Sequence, residues 1–319
     1  MSEPTYPVEL QRLELEPYRR GNTGIDFVHL RDSGRPGPHA MVNALTHGNE
    51  PAGALAVARL IDMDFRPSRG RLTLSFANAA AHAAFSPERP ETSRFLDRDL
   101  NRLWRDDWID ADGTSREAAR ARELRPHLAT VDLLLDLHTT WHVPRPFLVL
   151  ADLAKTRALA DAMAWPPTQQ LMPGGCGEGR HLIDYGRFAD PNHAATAVAV
   201  ECGRHFAARS VTNARRTTWR FFAVAGMLPP EAERPAAAGG ELEPAAALER
   251  FCVVESYIAR TGRLWLTVPY GGFGPVRAGQ QVGWDGEEAI VAPLDGVILS
   301  PRPRPRPGDV AFNWGRLVG

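Results

Sequence analysis

The stretch NALTHGNEPAGALAVARL, positions 43–60, sets His47 and Glu50 three residues apart, where an apolar run of strand character gives way to one of helical character. Further on, VDLLLDLH (131–138) and TAVAVEC (196–202) bring His138 and Glu201 to the ends of two more apolar runs. In open α/β sheets ligands gather beyond the carboxyl ends of the strands, and all four side chains are expected there. Two His and one Glu make the ligand set of a catalytic zinc that keeps one position open for water. An HxxE in a turn is weak on its own, as is a single His closing a strand. Their conjunction is far more specific.

Such a constellation needs a sheet to hold it. Ala40 to Leu45, RLTLSFAN (71–78), VDLLLDLH, FLVLAD and TAVAVEC read as strands, and Pro51 to Met63, Arg116 to Leu128 and AKTRALADAMA (154–164) as helices. Pro51 suits a first helical turn, where its missing N–H costs nothing. Continuous apolar strands alternating with helices predict an α/β fold: a mainly parallel mixed sheet with helices on both faces. VELQRLEL and IDFVHLR, split by the turn-like RRGNTG, predict an opening hairpin. PPEAERPAAAGGELEP (229–244) has linker composition, and short strand-like runs with turn signals follow it. The expected organisation is a catalytic α/β domain over 1–230, a linker over 231–249 and a small C-terminal all-β domain over 250–319.

A chain of 319 residues is long enough for a sizeable core. Its formal net charge of -1 argues against a nucleic-acid binder or a membrane-surface protein. No apolar run reaches the length of a membrane span. The polar, acidic start lacks the apolar centre of a signal peptide. Cys176, Cys202 and Cys252 are too scattered for a disulfide framework, so a cytoplasmic location is expected.

THGNE (46–50), RFLDRDLNRLW (94–104), LLLDLHTT (133–140) and VAVECG (198–203) resemble, in order and spacing, the motifs of the aspartoacylase and succinylglutamate desuccinylase family, within the zinc carboxypeptidase superfamily. APLDGVIL (292–299), followed by GDVAF, resembles the small C-terminal β domain of bacterial members. The resemblance implies one zinc per chain on His47, Glu50 and His138, with Glu201 as general base. It implies that Arg94 stabilises the oxyanion and that Asn101 and Arg102 hold a substrate carboxylate, to which the planar fork of an Arg is suited. Asp99 resembles the carboxylate that orients the first zinc histidine. Asp136, two residues before His138 and therefore facing the same way, is an alternative orienting partner.

The implied activity is zinc-dependent hydrolysis of a linear amide, removing an acyl group from a small N-acyl amino acid or related amine. A metallocarboxypeptidase and a non-catalytic zinc-binding scaffold are the competing readings. The oligomeric state stays open, a homo-oligomer included. The chain also departs from the family. Where aspartoacylase-like members carry an Arg for the second carboxylate of the amino-acid product, this chain has Pro191, with Arg187 and Tyr185 further upstream as substitutes. Tyr270 is a further substrate-contact candidate. His142, His181, His193 and His205 are expected to be ordinary polar residues rather than ligands, and GGCGEGR (174–180) a loop near the pocket mouth.

Overall fold

The computed structural model describes residues 6–174, 179–230, 247–302 and 304–318. The chain up to position 224 contains β1 (Val28–Asp32), β2 (His39–Ala44), α1 (Pro51–Asp62), β3 (Arg71–Phe76), α2 (Ala79–Ala83), α3 (Asp106–Ala111), α4 (Arg116–Leu128), β4 (Leu133–Thr140), β5 (Phe147–Ala151), α5 (Ala154–Met163), β6 (Thr168–Met172), β7 (Thr196–Arg204) and α6 (Ala208–Val224). The later strands are β8 (Glu249–Ile258), β9 (Leu264–Leu266), β10 (Gly274–Val276), β11 (Gln281–Asp285), β12 (Glu288–Val291), β13 (Gly296–Leu299) and β14 (Val310–Leu317).

Eleven strands form one sheet in the order β1-β3-β2-β4-β7-β5-β6-β8-β14-β13-β10. Its centre, β3-β2-β4-β7, is parallel. β5 runs antiparallel to β7 and parallel to β6. The ladder continues from β6 to β8 through Thr168↔Glu249 to Leu171↔Cys252, so strands beyond position 249 extend the large sheet. β12-β11-β9 form a separate antiparallel sheet, whose Leu266, Val282 and Ile290 share one apolar cluster with Ile298, Phe312 and Trp314 of the large sheet. Most of the expected linker, 231–246, lies outside the described residues.

The period of two along each strand divides the core. Ala40, Val42 and Ala44 of β2, Leu135 and Leu137 of β4, and Val198, Val200 and Cys202 of β7 pack with α1, α5 and α6. Met41, Leu134, Ala197 and Ala199 pack on the other face with Ala121, Leu124 and Leu128 of α4. By the same alternation Asn43, Asp136, His138 and Glu201 belong to the α4 face. The parallel register sets Asn43 beside Asp136 and His138 beside Glu201. No described helix is long and apolar enough to cross a membrane.

One local expectation is corrected, and two elements were not anticipated. The opening hairpin is absent: residues 7–15 form no strand, and β1 pairs with β3 instead. Alternation alone could not reveal that the polar first run has no strand partner. α6, a 17-residue helix, was not anticipated, because its Arg-rich sequence hides the buried face of Ala214, Thr218, Phe221 and Phe222. β6, TQQLM, was passed over because its strand is buried while carrying two glutamines. Gln169 is bonded to Asp161 and Arg250, and Gln170 to Ser300.

Candidate functional site

The HGNE segment is placed by close backbone packing. Leu45 adopts φ 58, a left-handed conformation that costs a non-glycine residue about 1 kcal/mol or more and turns the chain sharply off β2. Gly48 then lies where an added Cβ would come within 2.4 Å of the Ser93 carbonyl oxygen and 2.5 Å of the Ala81 carbonyl carbon. Its N–H donates to the Arg94 carbonyl at 3.0 Å, and its own carbonyl meets His82 Nδ1 at 2.7 Å. Only glycine allows this approach. Glu50 occupies the N-cap position of α1, with Pro51 behind it.

At this edge Glu50 lies between two imidazoles. Its Oε1 is 2.8 Å from His47 Nδ1, and its Oε2 is 3.1 Å from His138 Nδ1 while accepting the Thr139 N–H at 3.0 Å. The far nitrogens are held by further carboxylates: His138 Nε2 is 2.7 Å from Asp136 Oδ2, and His47 Nε2 is 3.1 Å from Asp99 Oδ1. Asp136 is fixed in turn by the Asn43 amide at 2.8 Å and the Thr46 hydroxyl at 2.9 Å. One ligand atom from each of His47, Glu50 and His138 lies within 4.8 Å of the others, and all three residues are buried. Imidazole nitrogens turned toward a common carboxylate, with their far nitrogens anchored by carboxylates, form a donor set that fits a divalent cation.

The electrostatics follow from this crowding. Burial opposes the charge on Glu50, yet the two imidazoles hold its carboxyl well below the usual range. Burial likewise opposes a charge on His138, but Asp136 and Glu50 raise it well above an ordinary imidazole. Arg94 bridges the same network. Its Nε and Nη2 donate to Asp99 Oδ2 at 3.3 and 3.1 Å, Nη2 lies 2.8 Å from His47 Nε2, and Nη1 is 3.6 Å from Glu50 Oε1. Glu201 is the exception among the carboxyls. Its Oε2 is buried and accepts no hydrogen bond from any described residue. Burial, reinforced by the charges of Glu50 and Asp136, pushes its pKa up to about 8 against the pull of His138 and Arg94.

The segment carrying Arg94, Asp99, Asn101 and Arg102 is anchored by a residue that sequence reasoning missed. Glu117 of α4 is 1% exposed. It accepts the backbone N–H groups of Leu96, Asp97 and Arg98 at 2.7, 3.1 and 3.2 Å, and the Asn78 amide at 3.1 Å. In REAARARELR nothing distinguishes it from a solvated helix carboxylate. Asn43 and Thr46 were also missed, although a buried Asn within an apolar strand is a visible signal.

Asn101 and Arg102 stay with the cluster, adjoining Asp99, whose Oδ1 accepts the Asn101 N–H at 2.8 Å. Asn101 Oδ1 accepts the Leu182 N–H at 2.9 Å, and Arg102 Nη1 donates to the Asn101 carbonyl at 3.0 Å. Arg187 lies apart from the cluster: its Nη2 donates to the Val131 carbonyl at 2.8 Å, just before the amino end of β4. That is roughly 20 Å of strand away from the cluster. The Tyr185 hydroxyl donates to Asp106 at 2.6 Å. The Tyr270 hydroxyl accepts the Leu266 N–H at 3.0 Å, and its ring stands edge-on to His142. The Tyr185 hydroxyl, through Asp106, is thereby committed away from the residues gathered around Glu50.

His193 Nδ1 accepts the Ala195 N–H within its own turn. Burial keeps His181 and His205 neutral, each with its pKa lowered to about 3. His205 Nδ1 is 2.6 Å from the Thr139 hydroxyl. Of the loop 174–180, residues 175–178 lie outside the described residues, while Arg180 pairs with the strand-like segment at Arg102 and Trp104.

The profile of the succinylglutamate desuccinylase/aspartoacylase catalytic domain matches residues 36–223. No curated protein matches the chain. Among solved structures, a succinylglutamate desuccinylase/aspartoacylase of Rhodobacter sphaeroides is similar at TM-score 0.66 and 20% identity, over 92% of this chain and 88% of its own. The product-bound ectoine utilization protein EutE (DoeB) of Ruegeria pomeroyi gives 0.67 and 18%, over 93% of each chain. Murine aminoacylase 3 gives 0.61 and 19%, over 89% of this chain and 96% of its own. These structures share the fold, and the profile match over more than half of the sequence decides kinship: the chain belongs to the succinylglutamate desuccinylase/aspartoacylase family, whose members hydrolyse amide bonds of acylated amino acids.

Proposed function

We propose that the chain is a zinc-dependent amidohydrolase that removes the acyl group from an N-acyl amino acid or a related small N-acyl amine. The observation that carries this reading is the buried trio of His47, Glu50 and His138, whose ligand atoms converge within 4.8 Å of one another beside a carboxyl with an oxygen that has no partner among the described residues. Zinc held by the trio supplies a Lewis acid that lowers the pKa of a coordinated water toward about 7.

The remaining chemistry belongs to the chain. Glu201, whose Oε2 accepts no hydrogen bond from any described residue, is the carboxyl placed to carry a proton. It takes a proton from the attacking water and delivers it to the amine nitrogen, which cannot leave as a bare anion. Arg94 is fixed by Asp99 through Nε and Nη2, which leaves Nη1 to meet the carbonyl oxygen as negative charge develops there. Asn101 commits its oxygen to the Leu182 N–H, so its amide N–H groups and the outer edge of the Arg102 guanidinium are the donors offered to the substrate carboxylate. Asp99 and Asp136 keep the two imidazoles in register.

The test is a hydrolysis screen of N-acetyl, N-succinyl and longer N-acyl amino acids, with release of both acid and amine measured against zinc loading. Turnover that tracks zinc occupancy is expected. Zinc-loaded protein that hydrolyses none of them contradicts the reading.

A further inference from the structure

The strand that carries Glu201 loses its register directly after that residue. β4 and β7 pair in parallel from Leu133↔Thr196 to His138↔Glu201, and the next pair is Thr140↔Arg204. Two residues of β4 therefore advance against three of β7, which makes a bulge. An extra residue bends its strand and re-aims the side chains beside it. The bend falls on Gly203, φ +120, where an added Cβ would come within 3.0 Å of both the Pro144 carbonyl oxygen and Ser210 Oγ. Backbone of this shape and crowding favours glycine.

Buried backbone polar groups need partners, and those of the bulge are met from two directions. From α6, the Asn213 amide donates to the Cys202 carbonyl at 2.8 Å and the Ser210 hydroxyl donates to the Arg204 carbonyl at 2.8 Å, so both neighbours of Gly203 are held. From β4, the Thr140 carbonyl accepts the His205 N–H at 2.5 Å, and the Thr139 hydroxyl lies 2.6 Å from His205 Nδ1. Trp141 stands edge-on to the His205 ring, with centroids 4.6 Å apart. Thr139, His205, Ser210 and Asn213 are all buried. The Thr139 N–H meanwhile donates to Glu50 Oε2 at 3.0 Å. One residue thus holds the carboxylate between the two imidazoles with its backbone and the end of β7 with its side chain. Because Glu201 Oε2 accepts no hydrogen bond from any described residue, the place of that carboxyl depends on the backbone that carries it.

We propose that the bulge after Glu201, latched by Thr139 and His205 and backed by Asn213, sets the position of the Glu201 carboxyl relative to Glu50, which makes Thr139, His205 and Asn213 positioning residues for proton transfer. The inference rests on the reading of Glu201 as the general base of a deacylase and deepens it. All three residues act through Glu201 and carry no proton themselves.

The experiment measures kcat, KM and zinc content on the best N-acyl amino acid substrate for the zinc-loaded wild type, Thr139→Val, Thr139→Ser and Asn213→Ala, and repeats Thr139→Val in the Glu201→Gln protein. Valine keeps the size of the side chain and the backbone N–H on Glu50 while removing the hydroxyl. A misplacement of about 1 Å costs on the order of a hundredfold in rate, so Thr139→Val should lower kcat by about tenfold to a hundredfold with KM and zinc content unchanged. Asn213→Ala reaches the bulge from the other side and should give the same pattern. Thr139→Ser, which restores the hydroxyl, should recover most of the loss. In the Glu201→Gln protein the group being positioned is already gone, so adding Thr139→Val should lower kcat little further. Unchanged kcat in Thr139→Val and Asn213→Ala overturns the inference alone, as does loss of zinc in Thr139→Val or the same fold loss on top of Glu201→Gln. Failure of zinc-loaded wild type to hydrolyse any N-acyl amino acid overturns the deacylase reading and this inference with it.

Discussion

The two ends of the parallel sheet each carry a pair of neighbouring imidazoles. At the carboxyl end, His47 and His138 have ring centroids 5.0 Å apart, and at the amino end His39 and His127 are 5.3 Å apart. Their surroundings are opposite. Carboxylates touch both rings of the first pair on both sides. The second pair is touched by neutral groups: His39 Nδ1 is 3.0 Å from the Thr130 carbonyl, and the Thr73 hydroxyl is 2.9 Å from His39 Nε2 and 2.7 Å from His127 Nε2. Burial, with Arg71 nearby, therefore lowers His39 to about 4, while Asp136 and Glu50 lift His138 against its burial. Proximity of histidines alone does not prepare a site for a cation. The interposed carboxylate and the anchoring carboxylates behind the rings do.

This contrast can be broken by substitution. Glu50→Ala should abolish both zinc binding and turnover, whereas His39→Gln should leave stoichiometric zinc; metal analysis after dialysis distinguishes them. Glu201→Gln is expected to lower kcat by about a hundredfold to ten-thousandfold while zinc stays bound. Loss of metal together with activity would instead make Glu201 part of the binding set. Glu117→Ala releases three backbone N–H groups of the Arg94 loop, so stability should fall by about 2 kcal/mol in urea unfolding and kcat should fall with it. Unchanged kcat would show that the loop keeps its place without that anchor.

The smallest effect concerns acid stability. Because His39 has a lower pKa folded than unfolded, its contribution to stability is intact above about 6.5 and is lost as pH falls toward 4. Between pH 7 and pH 5 this amounts to about 2 kcal/mol of lost stability, which His39→Gln should remove. Parallel pH profiles of the two proteins would assign the loss to other groups.

Much of the carboxyl end was legible in the sequence because its residues sit at the ends of apolar strands, where alternation and strand polarity dictate their positions. His47, Glu50 and His138 needed only that and a motif. Asp136 was readable from the same alternation, whereas Asp99, at the start of a 3-10 turn, was suggested only by the resemblance of its motif. The family profile bears out the kinship that these motifs suggested, and the mostly parallel sheet is the one that the alternating strands and helices imply. What escaped depends on tertiary direction. Arg187 lies within the second of two successive 3-10 turns, Leu182–Asp184 and Gly186–Phe188, and local sequence does not say which end of the sheet its guanidinium will reach. Glu117 looks solvated until the Arg94 loop folds over it. Arg-rich α6 looks too polar to be core, although its amphipathic face packs against β7.

The central claim is that a carboxylate set between two imidazoles captures one divalent cation, and anomalous scattering at the zinc edge from crystals of the zinc-loaded protein tests it most directly. The expected result is a single strong peak bounded by His47 Nδ1, the Glu50 carboxylate and His138 Nδ1. Zinc seated elsewhere, with Glu50 still hydrogen-bonded to both rings, would contradict it.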